Sequence, residues 1–175
     1  MSDRVLVTGR LATEETWQRR TEQRDLPLRK FLHCTAGGEE YGIEIERLRE
    51  ILRARPATEL PRVPKFILGV IAVRGVIVPV IDLRLRLRLA APAPTAQSRY
   101  VIVARDDERF GLLVDEVRQV VRLGESDIEA PPAMLSGGTD FIDGIGRCGN
   151  RLVVLLKLDA ILDFEVARVR GARSD

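Results

Sequence analysis

The chain has 175 residues, of which 45% are hydrophobic and 31% are charged, and its formal net charge is +2. This composition is typical of a folded globular protein and excludes a disordered chain. The small net charge argues against strong electrostatic binding to nucleic acid or anionic lipid. No apolar run approaches the roughly 18 residues that span a bilayer, and the N-terminus lacks a signal-peptide core. We therefore predict a cytoplasmic location without membrane insertion.

Residues 1–28 form a charged N-terminal extension with few aliphatic side chains after Leu11. Thr13 and the two glutamates that follow it predict a short helix ending at Pro27, which Trp17 would pin to the body of the protein. A solvated extension explains the same composition and is the favoured interpretation.

Residues 66–84, FILGVIAVRGVIVPVIDLR, predict a strand, a tight turn at Arg74-Gly75 and a second strand. Their β-branched side chains, including Val76 and Ile77, suit a buried pleated surface, whereas the corner presents Arg74 to solvent. This pattern is typical of a surface that holds another protein rather than of a site for chemistry.

An internal repeat organises residues 29–165 around a Pro/Ala linker at 90–98. Residues 41–53, YGIEIERLREILR, align without gaps on residues 110–122, FGLLVDEVRQVVR. The first hairpin likewise recurs at residues 141–158. About five strands in each half predict that each half closes into a small barrel.

Two patterns allow more than one local structure. Residues 45–52 and 114–121 carry apolar side chains at helical spacing, but their β-branched content equally permits a strand. Residues 83–89, LRLRLRL, alternate with period two and predict a strand, although a strand continuing from Val76 would be unusually long.

The sequence contains no convincing catalytic, metal or cofactor site. His33 is the only histidine and lies in an apolar strand without a patterned nucleophile, which favours a structural role. The glycines of 144–149 match a dinucleotide fingerprint, but a strand-like run follows where a helix is required, so we interpret them as a hairpin turn. Cys34 and Cys148 lack metal-ligand spacing and are predicted to be free thiols. The acidic pair Asp115-Glu116 is predicted to lie in a solvated turn.

The hairpin at 66–84, the repeated segments and FIDGIGRCGNRLVVLLKLDAIL at 141–162 together resemble the CheW family of bacterial chemotaxis coupling proteins. The resemblance covers about residues 30–165 and extends to the regulatory domain of the histidine kinase CheA. It implies a mainly β fold of two intertwined five-stranded SH3-like β-barrel subdomains, approximately 29–90 and 98–165, followed by a tail at 166–175. It also implies a short helix after Asp82-Leu-Arg84, against the period-two pattern, and a C-terminal helix near 158–164.

The resemblance further implies a non-enzymatic adaptor without cofactors. Its expected partners are the regulatory domain of CheA and the cytoplasmic tips of methyl-accepting chemoreceptors in membrane-associated arrays. Matching motif positions place Leu48, Glu50 and Ile51 on the receptor- and kinase-facing side and Arg74 and Gly75 at the hairpin corner, where a Glu50–Arg74 charge pair would orient the partners. One alternative is a CheW-like docking module in a non-chemotactic receptor–kinase pathway. A small-barrel nucleic-acid-binding protein is the least supported alternative, because exposed aromatic side chains are few.

Overall fold

The computed structural model describes residues 27–133 and 140–164. Predictions for residues 1–26 and for the tail at 166–175 lie outside this part of the chain. Strands predominate among the described residues, which confirms the predicted mainly β fold. Short 3-10 turns occur at Ile45–Arg47 and Glu125–Asp127. The strands and α-helices, in chain order, are β1 (Arg29–Ala36), β2 (Glu39–Glu44), β3 (Leu48–Arg53), β4 (Ile67–Val73), β5 (Val76–Asp82), α1 (Leu83–Arg86), β6 (Arg99–Arg105), β7 (Glu108–Val114), β8 (Glu116–Leu123), β9 (Ile128–Glu129), β10 (Ile142–Cys148), β11 (Arg151–Leu156) and α2 (Leu158–Ile161).

The strands pair into two sheets. One has six strands in the order β8-β1-β2-β11-β10-β9, and the other has five in the order β3-β6-β7-β5-β4. The chain after β3 returns to β4, where Thr58 and Val70 exchange two backbone hydrogen bonds of 2.9 Å. This bridge connects the two edges of the five-stranded sheet, while closure of either sheet into a complete barrel stays a prediction.

Each sheet takes strands from both halves of the repeat. The hairpin β1–β2 lies between β8 and β11, and the hairpin β6–β7 lies between β3 and β5. The ranges 29–90 and 98–165 therefore do not correspond to the two sheets, because the two halves intertwine by exchanging the hairpins β1–β2 and β6–β7. Apolar side chains from both hairpins meet in one core cluster that includes Leu32, Ile43, Val101 and Leu112. The exchange thus buries the two sheets against each other.

The repeated aromatic–glycine pair marks the place where an exchanged hairpin meets a parallel strand of the other half. Gly42 on β2 pairs with β11, and Gly111 on β7 pairs with β5. A Cβ atom on Gly42 would lie 2.8 Å from Leu155 Cδ2, and one on Gly111 would lie 2.7 Å from Val80 Cγ1. The close approach of neighbouring side chains explains why glycine stands at both positions.

The structure resolves both ambiguous patterns. The segments that permitted a helix or a strand form β3 and β8, with only one 3-10 turn before β3. The strand predicted over residues 83–89 is wrong, because the chain turns into α1 directly after β5. Asp82 Oδ1 accepts a hydrogen bond of 3.0 Å from the Arg84 backbone N–H and so caps this helix. The helices implied by the resemblance are confirmed as α1 and α2.

A buried arginine, Arg84, connects α1 to the segment between β7 and β8, where the chain crosses from one sheet to the other. The Arg84 guanidinium donates two hydrogen bonds of 3.0 Å to the Asp82 carboxylate and one of 2.9 Å to Asp115 Oδ1. It also donates to the backbone carbonyl of Pro92 in the linker at 2.8 Å. Asp115 is therefore not the solvated turn residue that the sequence predicts. Its pairing with Arg84 holds the end of β7 against the end of β5.

The core contains a cysteine that is protected from ionisation. Cys34 on β1 is fully buried in the same cluster as Leu32 and Ile43. Burial, with a smaller contribution from the charge of Asp115, raises the pKa of its thiol to about 12. The thiol is therefore neutral in the folded protein over the physiological pH range.

Replacing Arg84 with methionine should destabilise the protein by about 3–5 kcal/mol, because Asp82 would keep a buried charge without its partner. The free energy of unfolding from urea titrations measures this effect. Arg109→Met is the matched control, since Arg109 is exposed on β7 and surface substitutions usually stay within about 0.5 kcal/mol. Equal small losses for both variants would contradict a structural role for the Arg84 network.

Raising the pH should destabilise the folded state through Cys34. The thiol ionises near pH 8.5 in an unfolded chain but only at about 12 in the folded protein. Between these values the folded state binds more protons, so its stability falls by about 1.4 kcal/mol per pH unit from this group. Urea titrations from pH 8 upward should show a smaller loss of stability in Cys34→Ala than in the unchanged chain. Parallel curves for the two proteins would contradict the prediction.

Candidate functional site

The hairpin β4–β5 ends in a two-residue turn at the predicted corner. Val73 and Val76 form the last pair of the ladder, and Arg74 and Gly75 connect them with φ angles of 50° and 80°. Positive φ at both central residues is the geometry of a type I′ turn, whose twist matches that of the flanking strands. Gly75 adopts this conformation easily, whereas Arg74 does so against the steric preference of an L-residue.

Arg74 forms a two-point contact with Glu50 on β3. Its Nη2 donates to Glu50 Oε1 at 3.1 Å and its Nε donates to Glu50 Oε2 at 3.3 Å. The hydrogen bond to Glu50 is the main reason that the pKa of Arg74 is raised. The Arg74 side chain is nevertheless 77% exposed, so the predicted charge pair exists at the surface. The contact holds the tip of one hairpin against the edge strand of the same sheet.

Exposed aliphatic side chains adjoin this contact. Val76 and Ile77, directly after the turn, are 49% and 65% exposed, and Ile51, next to Glu50 on β3, is also exposed. The prediction that Val76 and Ile77 are buried is therefore wrong. Their strand extends beyond the core at its tip, and only from Val78 onward do its side chains become buried. We call Glu50, Ile51, Arg74, Gly75, Val76 and Ile77 the hairpin surface.

Leu48, the remaining predicted site residue, differs from this group. It is half-buried and packs against the core cluster shared by the two sheets. The structure therefore joins Glu50 to Arg74 and leaves Leu48 mainly in a packing role. Sequence reasoning missed Val76 and Ile77, although their position at the tip of a predicted hairpin was a usable signal for exposure.

A groove of about 390 Å³ runs along the outer side of β4, with Arg55, Ala72 and Ile77 among its lining residues. The Arg55 guanidinium donates a hydrogen bond to the backbone carbonyl of Ala72. Ala72 and Ile77 are cross-strand partners, so their side chains share this face of the hairpin. The small Ala72 side chain leaves this space open.

Side chains that could serve as catalytic groups or metal ligands do not assemble into a catalytic or metal site in the described part of the chain. His33 is buried, and its Nε2 lies 3.5 Å from Glu40 Oε1 without a hydrogen-bond partner among the described residues. Those residues contain no group of three or more potential metal ligands. The glycines of 144–149 lie on β10 and in the turn to β11, as the hairpin interpretation predicts. No helix within residues 27–133 and 140–164 is long and apolar enough to cross a membrane.

The arrangement defines a class of protein. A duplicated β fold that presents an arginine–glutamate contact and exposed aliphatic side chains is suited to binding other proteins. Scaffold and adaptor proteins are the class that such a binding surface defines.

Comparison with known proteins identifies the family. The model of the CheW-like domain matches residues 30–166. The chemotaxis protein CheW of Bacillus subtilis is 37% identical over 137 residues, which cover 78% of this chain and 88% of that protein. The CheW of Helicobacter pylori is 34% identical over 133 residues, covering 76% and 81%. The crystal structure of the scaffolding protein TtCheW from Thermoanaerobacter tengcongensis superimposes with a TM-score of 0.73 at 31% identity, covering 79% of this chain and 90% of that one. The chain belongs to the CheW-like family.

Substitutions of Arg74 should test the type I′ geometry. Arg74→Gly should raise the thermal midpoint slightly, because glycine has no Cβ to disfavour positive φ, whereas Arg74→Val should lower it. Differential scanning calorimetry measures both midpoints. A lower midpoint for the glycine variant than for the valine variant would contradict this backbone geometry.

Proposed function

We propose that the chain couples methyl-accepting chemoreceptors to the histidine kinase CheA in chemotaxis signalling, as a cytoplasmic adaptor recruited to receptor arrays by its partners. The single observation that carries this proposal is the two-point contact of Arg74 with Glu50 at the tip of an exposed hairpin. Membership of the CheW-like family supports it, since relatives are named as chemotaxis and scaffolding proteins.

The hairpin surface supplies two kinds of interaction. Val76 and Ile77 offer apolar area, and complete burial of such a side chain contributes about 1.5–3 kcal/mol. The Arg74–Glu50 contact adds direction, because a planar guanidinium and a carboxylate recognise charged partners only in particular orientations. Because consecutive strand side chains point to opposite faces, an amphipathic helix, such as one from a receptor tip, can contact Arg74 together with either Val76 or Ile77 through one face.

The second hairpin, β10–β11, serves as an internal comparison. Its strands also carry an exposed arginine, Arg147, which pairs with Glu129 on β9 at 2.7 Å. Its turn, however, is Gly149-Asn150 and bears no charge. We assign the partner-specific role to Arg74 and Gly75, because only the first hairpin has a cation within its two-residue turn. In the second hairpin, Arg151 follows the turn on β11 and pairs with Glu40 at 3.1 Å.

Arg74→Ala should weaken coupling several-fold while leaving the thermal midpoint nearly unchanged, because an exposed ion pair contributes little to folding. The measurement is co-sedimentation with CheA and receptor-containing membranes, together with the rate of CheA autophosphorylation. Arg147→Ala is the matched control, since it removes an exposed, glutamate-paired arginine from the other hairpin.

Two results would count against the proposal. Absence of co-sedimentation and of any effect on autophosphorylation with the unchanged chain would exclude chemotactic coupling. Equal losses for Arg74→Ala and Arg147→Ala would exclude a special role for the first hairpin. Binding CheA and receptor fragments separately to the Arg74→Ala variant then shows which partner uses this surface.

A further inference from the structure

The outer face of β8 carries an exposed patch away from the hairpin surface. Val120 is 48% exposed, and Arg122 lies two residues further on the same face of the strand. Lys30 on β1 is the cross-strand partner of Arg122, and both side chains are exposed. Leu28, 50% exposed, precedes β1 and approaches Gly124 at the end of β8. We call Leu28, Lys30, Val120 and Arg122 the β8 patch.

This patch lies along a sheet edge. β8 is the terminal strand of the six-stranded sheet, and within residues 27–133 and 140–164 no strand pairs with its outer side. Exposed edge strands with apolar side chains promote association between chains, and proteins commonly cover them with another segment. The β8 patch combines such an edge with two cations.

The geometry points to the N-terminal extension of the same chain as the segment that covers the β8 patch, with Trp17 packed on Val120 and Glu14 and Glu15 facing Lys30 and Arg122. The extension joins the described structure at Pro27, directly beside the patch. It also precedes the region matched by the family model, which begins at residue 30. This inference does not depend on the proposed coupling function.

Chain length and charge both permit this docking. The segment from Trp17 to Leu28 spans at most about 36 Å when extended, whereas Gly124 and Val120 are separated by roughly 13 Å along a strand. Residues 13–17, TEETW, contain two acids and no base next to the only tryptophan of the chain. Arg19 and Arg20 follow Trp17, so it is the acidic side of the ring, with Glu14 and Glu15, that complements an aliphatic side chain flanked by an arginine and a lysine.

Trp17 fluorescence tests the docking in the full chain, because no other tryptophan contributes to the signal. We expect blue-shifted emission and acrylamide quenching several-fold slower than for N-acetyltryptophanamide. Val120→Asp should shift the emission to the red and restore fast quenching. Leu152→Asp is the matched control, since Leu152 is also an exposed aliphatic residue of the same sheet, 61% exposed on β11 and outside the patch, and it should leave the emission unchanged.

A charge exchange provides a second, independent variant. Arg122→Glu should also increase quenching, and adding Glu14→Arg and Glu15→Arg to it should restore the protection. Far-ultraviolet circular dichroism confirms that each variant is folded.

Three outcomes would overturn the inference. The first is solvent-exposed emission from the unchanged chain. The second is protected emission that neither Val120→Asp nor Arg122→Glu alters. The third is protection that disappears on dilution, which would assign the β8 patch to a second copy of the chain instead of its own extension.

Discussion

The buried guanidinium of Arg84 is the contact on which the arrangement of the two sheets depends. It neutralises Asp82 at the end of β5 and reaches Asp115, where the chain leaves β7 for β8 in the other sheet. The second oxygen of Asp115 accepts a hydrogen bond of 2.7 Å from the backbone N–H of Gly37, in the turn of the exchanged hairpin β1–β2. Because a buried charge is tolerated only with its partners in place, this network fixes how the two sheets meet.

Arg86, the other arginine of α1, contacts residues from both halves of the repeat. Arg86 lies over the rings of Phe66 and Phe141, at 4.5 and 4.7 Å from their centres, and donates hydrogen bonds to carbonyls at the end of α2, including that of Ile161 at 2.9 Å. The two phenylalanines are equivalent in the repeat, and each precedes a hairpin. Both hairpins therefore start from one cation–aromatic cluster, and the first also ends at the Arg84 network. A hairpin anchored at both ends presents its tip in a defined position.

Much of this architecture follows from local sequence patterns. The repeat, the two hairpins and the Arg74-Gly75 turn could be predicted, because alternation and turn chemistry act over a few residues. The exchange of hairpins could not, since a hairpin buries the same side chains whichever half supplies its neighbours. The α1 helix contradicted the alternation of LRLRLRL because one capping carboxylate, Asp82, outweighed it. Exposure of Ile77 also escaped prediction, because β-branched residues suit a strand whether or not the core reaches it.

The Glu50–Arg74 pair could be proposed from the resemblance to the family. That Arg74 adopts a strained backbone conformation becomes visible only in the structure. At the corresponding point of the second hairpin stands Gly149, with a φ of 59°, a residue that adopts positive φ without strain. The first hairpin has an arginine at this position, with a φ of 50°. The fold gains nothing from that choice, since glycine would satisfy the turn more easily and an exposed ion pair contributes little to stability. The strain of this residue at an exposed tip therefore supports the proposed partner-binding role of Arg74.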